Sequence, residues 1–349
     1  MKRFITRLTA LVLALSLCLL SAAFAEGAET NDRVCFLLMC NEGMSNDGDN
    51  VQNTMMVVSF DPQTGKIRLL MLTWDTFINL EGYDIPQLLD QPYRVNGPEG
   101  TLKAVNDNFN QNIERFLSIN YLNLANLIDT YGGVDVDITR AERNALNGMV
   151  SSKKNSIEKM AEMGIIEQIL VEALVREYYL DNWGAETHLN GLQAVGFGWL
   201  QYDSVYNCCM REVAVISDLF DSVGGTINNQ IVFYTSETTK PESIDGRRLI
   251  NLDDPTDEDK EFLYTMVSPI FDKSYNNLDE EEIIQISLTL SRAAYLASRQ
   301  GINIFENVEV CVLPLEVNDP YDKIAGTEGH IVDYEANAAA MRDFLYGAD

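Results

Sequence analysis

The chain has 349 residues, enough at about 150 residues per domain for two domains or one large α/β domain. Its 46% apolar and 22% charged composition excludes a disordered, collagen-like or coiled-coil molecule. With 25 basic against 53 acidic side chains, net −28, it lacks the clustered cations that a nucleic-acid partner requires, and anionic membrane surfaces are disfavoured as well.

Residues 1–25 read as a signal peptide. Lys2, Arg3 and Arg7 precede an apolar run over 8–24, and Ala23-Phe24-Ala25 forms a small-x-small cleavage pattern. A run of 17 residues also reaches the lower limit of a membrane span, about 17 residues, so a retained N-terminal anchor is the alternative. Either reading places the body outside the cytoplasm. From residue 26 onward 22 basic face 53 acidic side chains, net −31.

After a polar spacer at 26–33, residues 34–39 form a continuous apolar run of buried-strand length. A loop over 41–50 follows. Residues 54–60 and 67–73 are two further strands, joined by the turn Asp61-Pro62-Gln63-Thr64-Gly65. Helical spacing covers 102–109 and 121–131, the latter stopping at Gly132-Gly133, and 134–138 alternates as a strand. Residues 156–179 are helical within an insertion near 145–186. Residues 192–197 and 211–223 are helical pieces around a short loop that carries Cys208 and Cys209. A polar excursion near 236–262 contains an acidic cluster at 253–261. A long helix over 280–300, a strand over 308–315 and a closing helix over 334–346 complete an α/β alternation.

Cys35, Cys40, Cys208, Cys209 and Cys311 remain after the leader, an odd number that forbids complete pairing. Leu17 precedes Cys18, which argues against a lipidated cysteine. His188 and His330 lie far apart, so neither a histidine triad nor a zinc hydrolase is expected. The oxygen-rich loop Asn46-Asp47-Gly48-Asp49-Asn50 lacks EF-hand spacing and reads as a solvated turn. His330 reads as a loop residue.

Six stretches, in order, carry a resemblance: Phe36-Leu-Leu-Met-Cys-Asn-Glu42, Asn53-Thr-Met-Met-Val-Val-Ser59, Leu70-Met-Leu-Thr-Trp-Asp-Thr76, Leu127-Ile-Asp-Thr-Tyr-Gly-Gly-Val-Asp-Val-Asp137, His188-Leu-Asn-Gly-Leu-Gln-Ala194 and Arg211-Glu-Val-Ala-Val-Ile216. Together they resemble the LytR-CpsA-Psr (LCP) family, extracytoplasmic proteins of mainly Gram-positive bacteria that attach lipid-diphosphate-linked glycopolymers to peptidoglycan. The resemblance implies one LCP-like domain over 34–349, with a three-layer α/β fold in which a central mixed β-sheet is flanked by helices on both faces. It takes Asp135 and Asp137 as hydrogen-bonding groups of a structural turn.

The family's chemistry neutralises a diphosphate with forked arginines and Mg2+-holding carboxylates, and needs an apolar groove for a prenyl chain. The resemblance places the metal carboxylates on Glu42 and Asn53, both altered. Family arginines fall on Trp74, Trp199, Gln201 and Cys208, beside Glu212, leaving Asp75, Arg94 and Arg211 as candidate catalytic residues. Losing three or four charge-assisted hydrogen bonds, each about 1.5–3 kcal/mol, removes several kcal/mol of phosphate binding. The expectation is a catalytically degenerate cell-envelope protein that binds a cell-wall glycan, a polyprenyl-linked intermediate or a paralogous LCP protein. Under it, Trp74, Trp199, Gln201, Cys208 and Glu212 line a less cationic, more aromatic site. The alternative is an active phosphotransferase that attaches polyprenyl-diphosphate-linked glycopolymers to peptidoglycan. A Cys40–Cys208 disulfide across the former phosphate pocket would suit the oxidising compartment.

Overall fold

A computed structural model describes residues 33–41, 52–61, 66–162, 175–236, 238, 240–241, 246–299, 308–315 and 322–347. The chain divides into two compact units, one comprising residues 1–121 and 220–349, the other 122–219.

The first unit is built on the apolar runs. Strands β1 (Val34–Asn41), β2 (Gln52–Asp61) and β3 (Lys66–Leu72) form an antiparallel meander, with Leu37 opposite Val57 and Val57 opposite Leu70. Strands β4 (Phe77–Ile78) and β5 (Gln87–Leu88) make a small separate hairpin. Helix α1 (Gln91–Phe109) follows, and β6 (Phe116–Asn120) then joins β1 in parallel. Far downstream, β11 (Tyr275–Asn276) caps β6 and β12 (Val308–Leu313) lies parallel to β3. The result is one mixed six-stranded sheet of order β11-β6-β1-β2-β3-β12.

Burial along β3 is continuous rather than alternating, as expected of a sheet covered on both faces. Leu37, Met39, Met55, Val57, Leu70 and Leu72 pack in one core with Tyr93, Val105 and Phe109 of α1 and with Met341 and Leu345 of the closing helix α8 (Tyr334–Tyr346). On the opposite face Phe36, Leu38, Met56, Val58, Leu69 and Met71 are equally buried. The family-implied architecture, a central mixed sheet flanked by helices, is the one observed.

Several elements differ from the expectation. α1 starts eleven residues before the predicted 102–109 helix because Gly97-Pro98 bends it rather than ending it; Asn96 and Gly97 leave helical geometry, with Gly97 at φ 66°. The acidic cluster at 253–261 is largely exposed, as expected, but it is not irregular. It leads into helix α6 (Asp257–Asp272), where Thr256 and Asp259 form a capping box and three first-turn acids favour the helix N-terminus. Just before it, β10 (Arg248–Asn251) pairs in parallel with β9 (Ile231–Tyr234). Helix α7 (Glu280–Arg299) matches its predicted span.

The second unit contains α2 from Leu122 onward (the helix is Tyr121–Thr130), the hairpin β7 (Val134–Ile138) with β8 (Gly184–Leu189), helix α3 (Arg140–Glu162), helix α4 (Gly191–Gly198) and the first part of α5 (Val205–Asn228). α3 begins sixteen residues before the predicted 156–179 helix, because Thr139 and Glu142 cap it reciprocally: Glu142 N donates to Thr139 Oγ1 and Thr139 N to Glu142 Oε2. Residues 163–174 of that prediction lie outside the described residues. Cys208 and Cys209 sit inside α5, not in a loop, and are buried on its apolar side. None of the five described cysteines is in a disulfide, so the Cys40–Cys208 disulfide is not formed. Among the described residues no helix is long and apolar enough to cross a membrane.

Candidate functional site

In the first unit the candidate residues gather where β3 turns into β4. Trp74 is half-buried and Asp75 is 1% exposed. Thr73 and Thr76 flank them, their hydroxyls 2.9 Å apart. The turn is held by Leu89 N donating to Thr76 O and Asp90 N to Trp74 O. From the other end of the chain, the hairpin β13 (Asp322–Ile324) and β14 (Thr327–Gly329) delivers His330 alongside: His330 N donates to Asp75 O and Phe77 N to His330 O, each at 2.9 Å. Gly329 permits this approach, since a Cβ there would lie 2.5 Å from Asp75 O and 2.8 Å from Leu88 Cδ2.

Asp75 is thereby a buried carboxylate whose two oxygens accept no hydrogen bond among the described residues, with His330 Nε2 4.0 Å from Oδ1. Sequence reasoning missed His330 as a neighbour; 255 positions separate the two. Among the described residues Arg94 donates no hydrogen bond to Asp75. It projects from α1 and pairs one turn back with Asp90 at 3.2 Å. Burial raises the Asp90 carboxyl above its usual range, and Arg94 opposes that shift. The adjacent Tyr93 points inward, its Oη accepting from Asn41 Nδ2 and meeting Ser118 Oγ, both at 3.0 Å.

In the second unit the link between α4 and α5 brings the other candidates together. Trp199 is the C-cap of α4, half-buried, and Gln201 is exposed. Cys208 Sγ donates to Gly198 O at 3.5 Å, and burial followed by the nearby Glu212 carboxylate pushes its thiol up to about 12. Arg211 is 5% exposed and Glu212 6%. Arg211 is gripped by Asp203, with Nη1 3.1 Å from Oδ2 and Nη2 2.7 Å from Oδ1; Nη2 also donates to Leu200 O. Glu142 Oε1 lies 3.5 Å from Nη1, and the Tyr202 ring lies 5.2 Å from the guanidinium carbon. The Arg211 hydrogen bonds hold the Asp203 carboxyl below its ordinary value. Asp203, Glu142 and Tyr202 are neighbours of Arg211 that sequence reasoning missed. Asp203 stands two helical turns before Arg211, a spacing readable only once the start of α5 at Val205 is known.

Glu42 lies outside the described residues; Asn53 is placed on β2, with its side chain undescribed. The described residues contain no group of three His, Cys, Asp or Glu side chains that could hold a metal. Among the described residues Asp75 offers a cation a buried carboxylate with both oxygens unmatched by a donor.

The LytR_cpsA_psr family model matches residues 20–204, more than half of the chain. Over 101 residues the chain is 30% identical to the polyisoprenyl-teichoic acid–peptidoglycan teichoic acid transferase TagU of Oceanobacillus iheyensis; the match covers 27% of this chain and 32% of that relative. The chain thus spans about a third of the curated relative it matches. Solved structures share the fold at low identity. TagV of B. subtilis superposes with a TM-score of 0.58 at 13% identity, covering 92% of this chain and all of TagV. The protein gbs0355 of Streptococcus agalactiae gives 0.56 at 17%, covering 90% and 88%. TagT bound to LI-WTA gives 0.54 at 12%, covering 92% and 94%.

Proposed function

We propose that this chain, which belongs to the LytR_cpsA_psr family, is an extracytoplasmic cell-envelope protein that binds a glycan or polyprenyl-linked envelope intermediate without transferring a phosphoryl group. The observation that carries this reading is the state of Arg211. A guanidinium that must neutralise a diphosphate needs free forked donors. Here Asp203 takes both Nη groups, Leu200 O takes one of them as well, and Glu142 adds a second negative charge. Arg94 is paired with Asp90. At the remaining positions Trp74, Trp199, Gln201 and Cys208 stand where the family resemblance implies cations. Indole faces suit sugar rings and prenyl carbons better than phosphate oxygens.

A second reading, a working transferase of polyprenyl-diphosphate-linked glycopolymer to peptidoglycan, is favoured by the match to the TagU transferase. Under it Asp75, Arg94 and Arg211 would serve the phosphoryl group, and Glu42 and Asn53 would hold Mg2+, which would neutralise phosphate charge. Arg211 would first have to exchange Asp203 for phosphate.

Phosphate release from a prenyl diphosphate in the presence of Mg2+, compared with an arginine-complete relative, separates the two. Binding of the prenyl diphosphate or of a muropeptide without release is expected. Turnover comparable to the relative, abolished by Arg211→Ala, would overturn the binding-only reading.

A further inference from the structure

In the second unit, outside the residues above, two arginines and a tryptophan form a cluster. Trp183 is 48% exposed on the segment leading into β8. The guanidinium carbon of Arg143 lies 4.6 Å from the indole centroid and that of Arg140 5.8 Å. The arginines are three residues apart at the start of α3, so they share a helix face. In a chain of net −28 most described cations face a carboxylate, as in Arg94–Asp90, Arg115–Glu282 and Arg248–Asp259. Among the described residues neither Arg140 nor Arg143 has a carboxylate within 4.0 Å, and Arg143 Nε is inaccessible and without an acceptor.

The nearby acids are occupied or lie on flanking positions. The Glu142 carboxylate is turned to Thr139 and Arg211, and Asp137 Oδ1 accepts from Glu186 N. Asp181, three residues before β8, and Glu186, on β8, are exposed. Cations in a first helical turn oppose the helix dipole, so local helix stability does not account for the pair. Stacking on an indole fixes a guanidinium plane and leaves its in-plane N–H donors free for a bidentate anion.

We propose that Arg140, Arg143 and Trp183 form a binding site for a saccharide-borne anion, a phosphate or carboxylate held by the two guanidinium forks with its sugar ring against the exposed part of the indole. The envelope-glycan reading supplies only the source of this ligand. The site itself stands on geometry independent of Asp75, Arg94 and Arg211.

The test is affinity electrophoresis of the full chain in gels containing poly(glycerol phosphate), polygalacturonate or neutral dextran. Retardation by one or both anionic polymers and none by dextran is expected, and the polymer that retards identifies the anion. Arg140→Gln/Arg143→Gln is expected to weaken retardation at least tenfold with an unchanged circular dichroism spectrum. Arg140→Lys/Arg143→Lys, which keeps charge and loses the fork, should fall between. The site is refuted by equal retardation of the double Gln variant, by equal retardation in dextran, or by none in either anionic gel. None of these outcomes bears on phosphate release from a prenyl diphosphate, so the two readings fail separately.

Discussion

Asp203 and Arg211 face each other through two parallel hydrogen bonds, 3.1 and 2.7 Å long, with the guanidinium almost wholly buried. The geometry is the bidentate one that makes arginine a binder of carboxylate and phosphate alike, and in this chain an internal carboxylate fills it. Whatever ligand the protein takes, Arg211 meets it only after breaking this pair.

Asp203→Asn therefore destabilises the fold, by about 2–3 kcal/mol, because a buried guanidinium loses its counter-charge. Arg211 holds the Asp203 pKa below its ordinary 3.8. The pair's contribution is thus fully present above about pH 3.8 and is lost as pH falls through the lower, folded value. Urea unfolding of the two proteins from pH 7 to pH 2.5 should show a gap that is constant near neutrality and closes in acid. A gap that persists undiminished at pH 2.5 contradicts the assignment.

Close backbone contact makes a second test. A Cβ at Gly191 would overlap the Ala125 carbonyl, and Gly191 N donates to Asp129 Oδ1 at 2.7 Å. Gly191→Ala should cost about 3 kcal/mol or more. Gly148 is exposed within α3 and a Cβ there meets nothing within 4 Å. Gly148→Ala should stabilise by about 0.5–1 kcal/mol through the unfolded chain. Thermal midpoints moving in opposite directions check both; a neutral Gly191→Ala would mean that α2 and α4 are not in contact at this point.

The thiols provide a third. Burial pushes Cys35 and Cys208 up to about 12, so at pH 8 only about one in ten thousand is thiolate. Iodoacetamide at pH 8 should leave both unmodified in the native chain and alkylate them in urea, as read by mass spectrometry of peptides. Rapid native labelling of Cys208 would show that the α4–α5 link opens readily.

The meander was legible because β1, β2 and β3 are unbroken apolar runs separated by a Pro/Gly turn. β6 was not: Phe-Leu-Ser-Ile-Asn is buried throughout, but the Ser118 hydroxyl meets its partner, Tyr93 Oη, on another element. β8 hides for the opposite reason, since only Thr187 and Leu189 of its six residues are buried. The positions of Asp75 and Arg211 were readable from the motifs, whereas their partners were not. His330 reaches Asp75 through pairing of chain ends, and Asp203 reaches Arg211 across the start of α5, where Ser204 Oγ accepts from Asn207 N as a helix cap that the strand-and-helix reading passed over.

The order of the central sheet carries a consequence for how the chain is made. β12 covers β3 by parallel pairing of residues 308–313 with residues 67–72, the most sequence-distant pairing of the sheet. Until about residue 313 has emerged, β3 is an open edge of Ile, Leu and Met, while the meander behind it can already fold. Such an edge invites strand addition from another molecule. The last tenth of the polypeptide acts as a built-in edge guard, and chains truncated before residue 308 are expected to aggregate through β3.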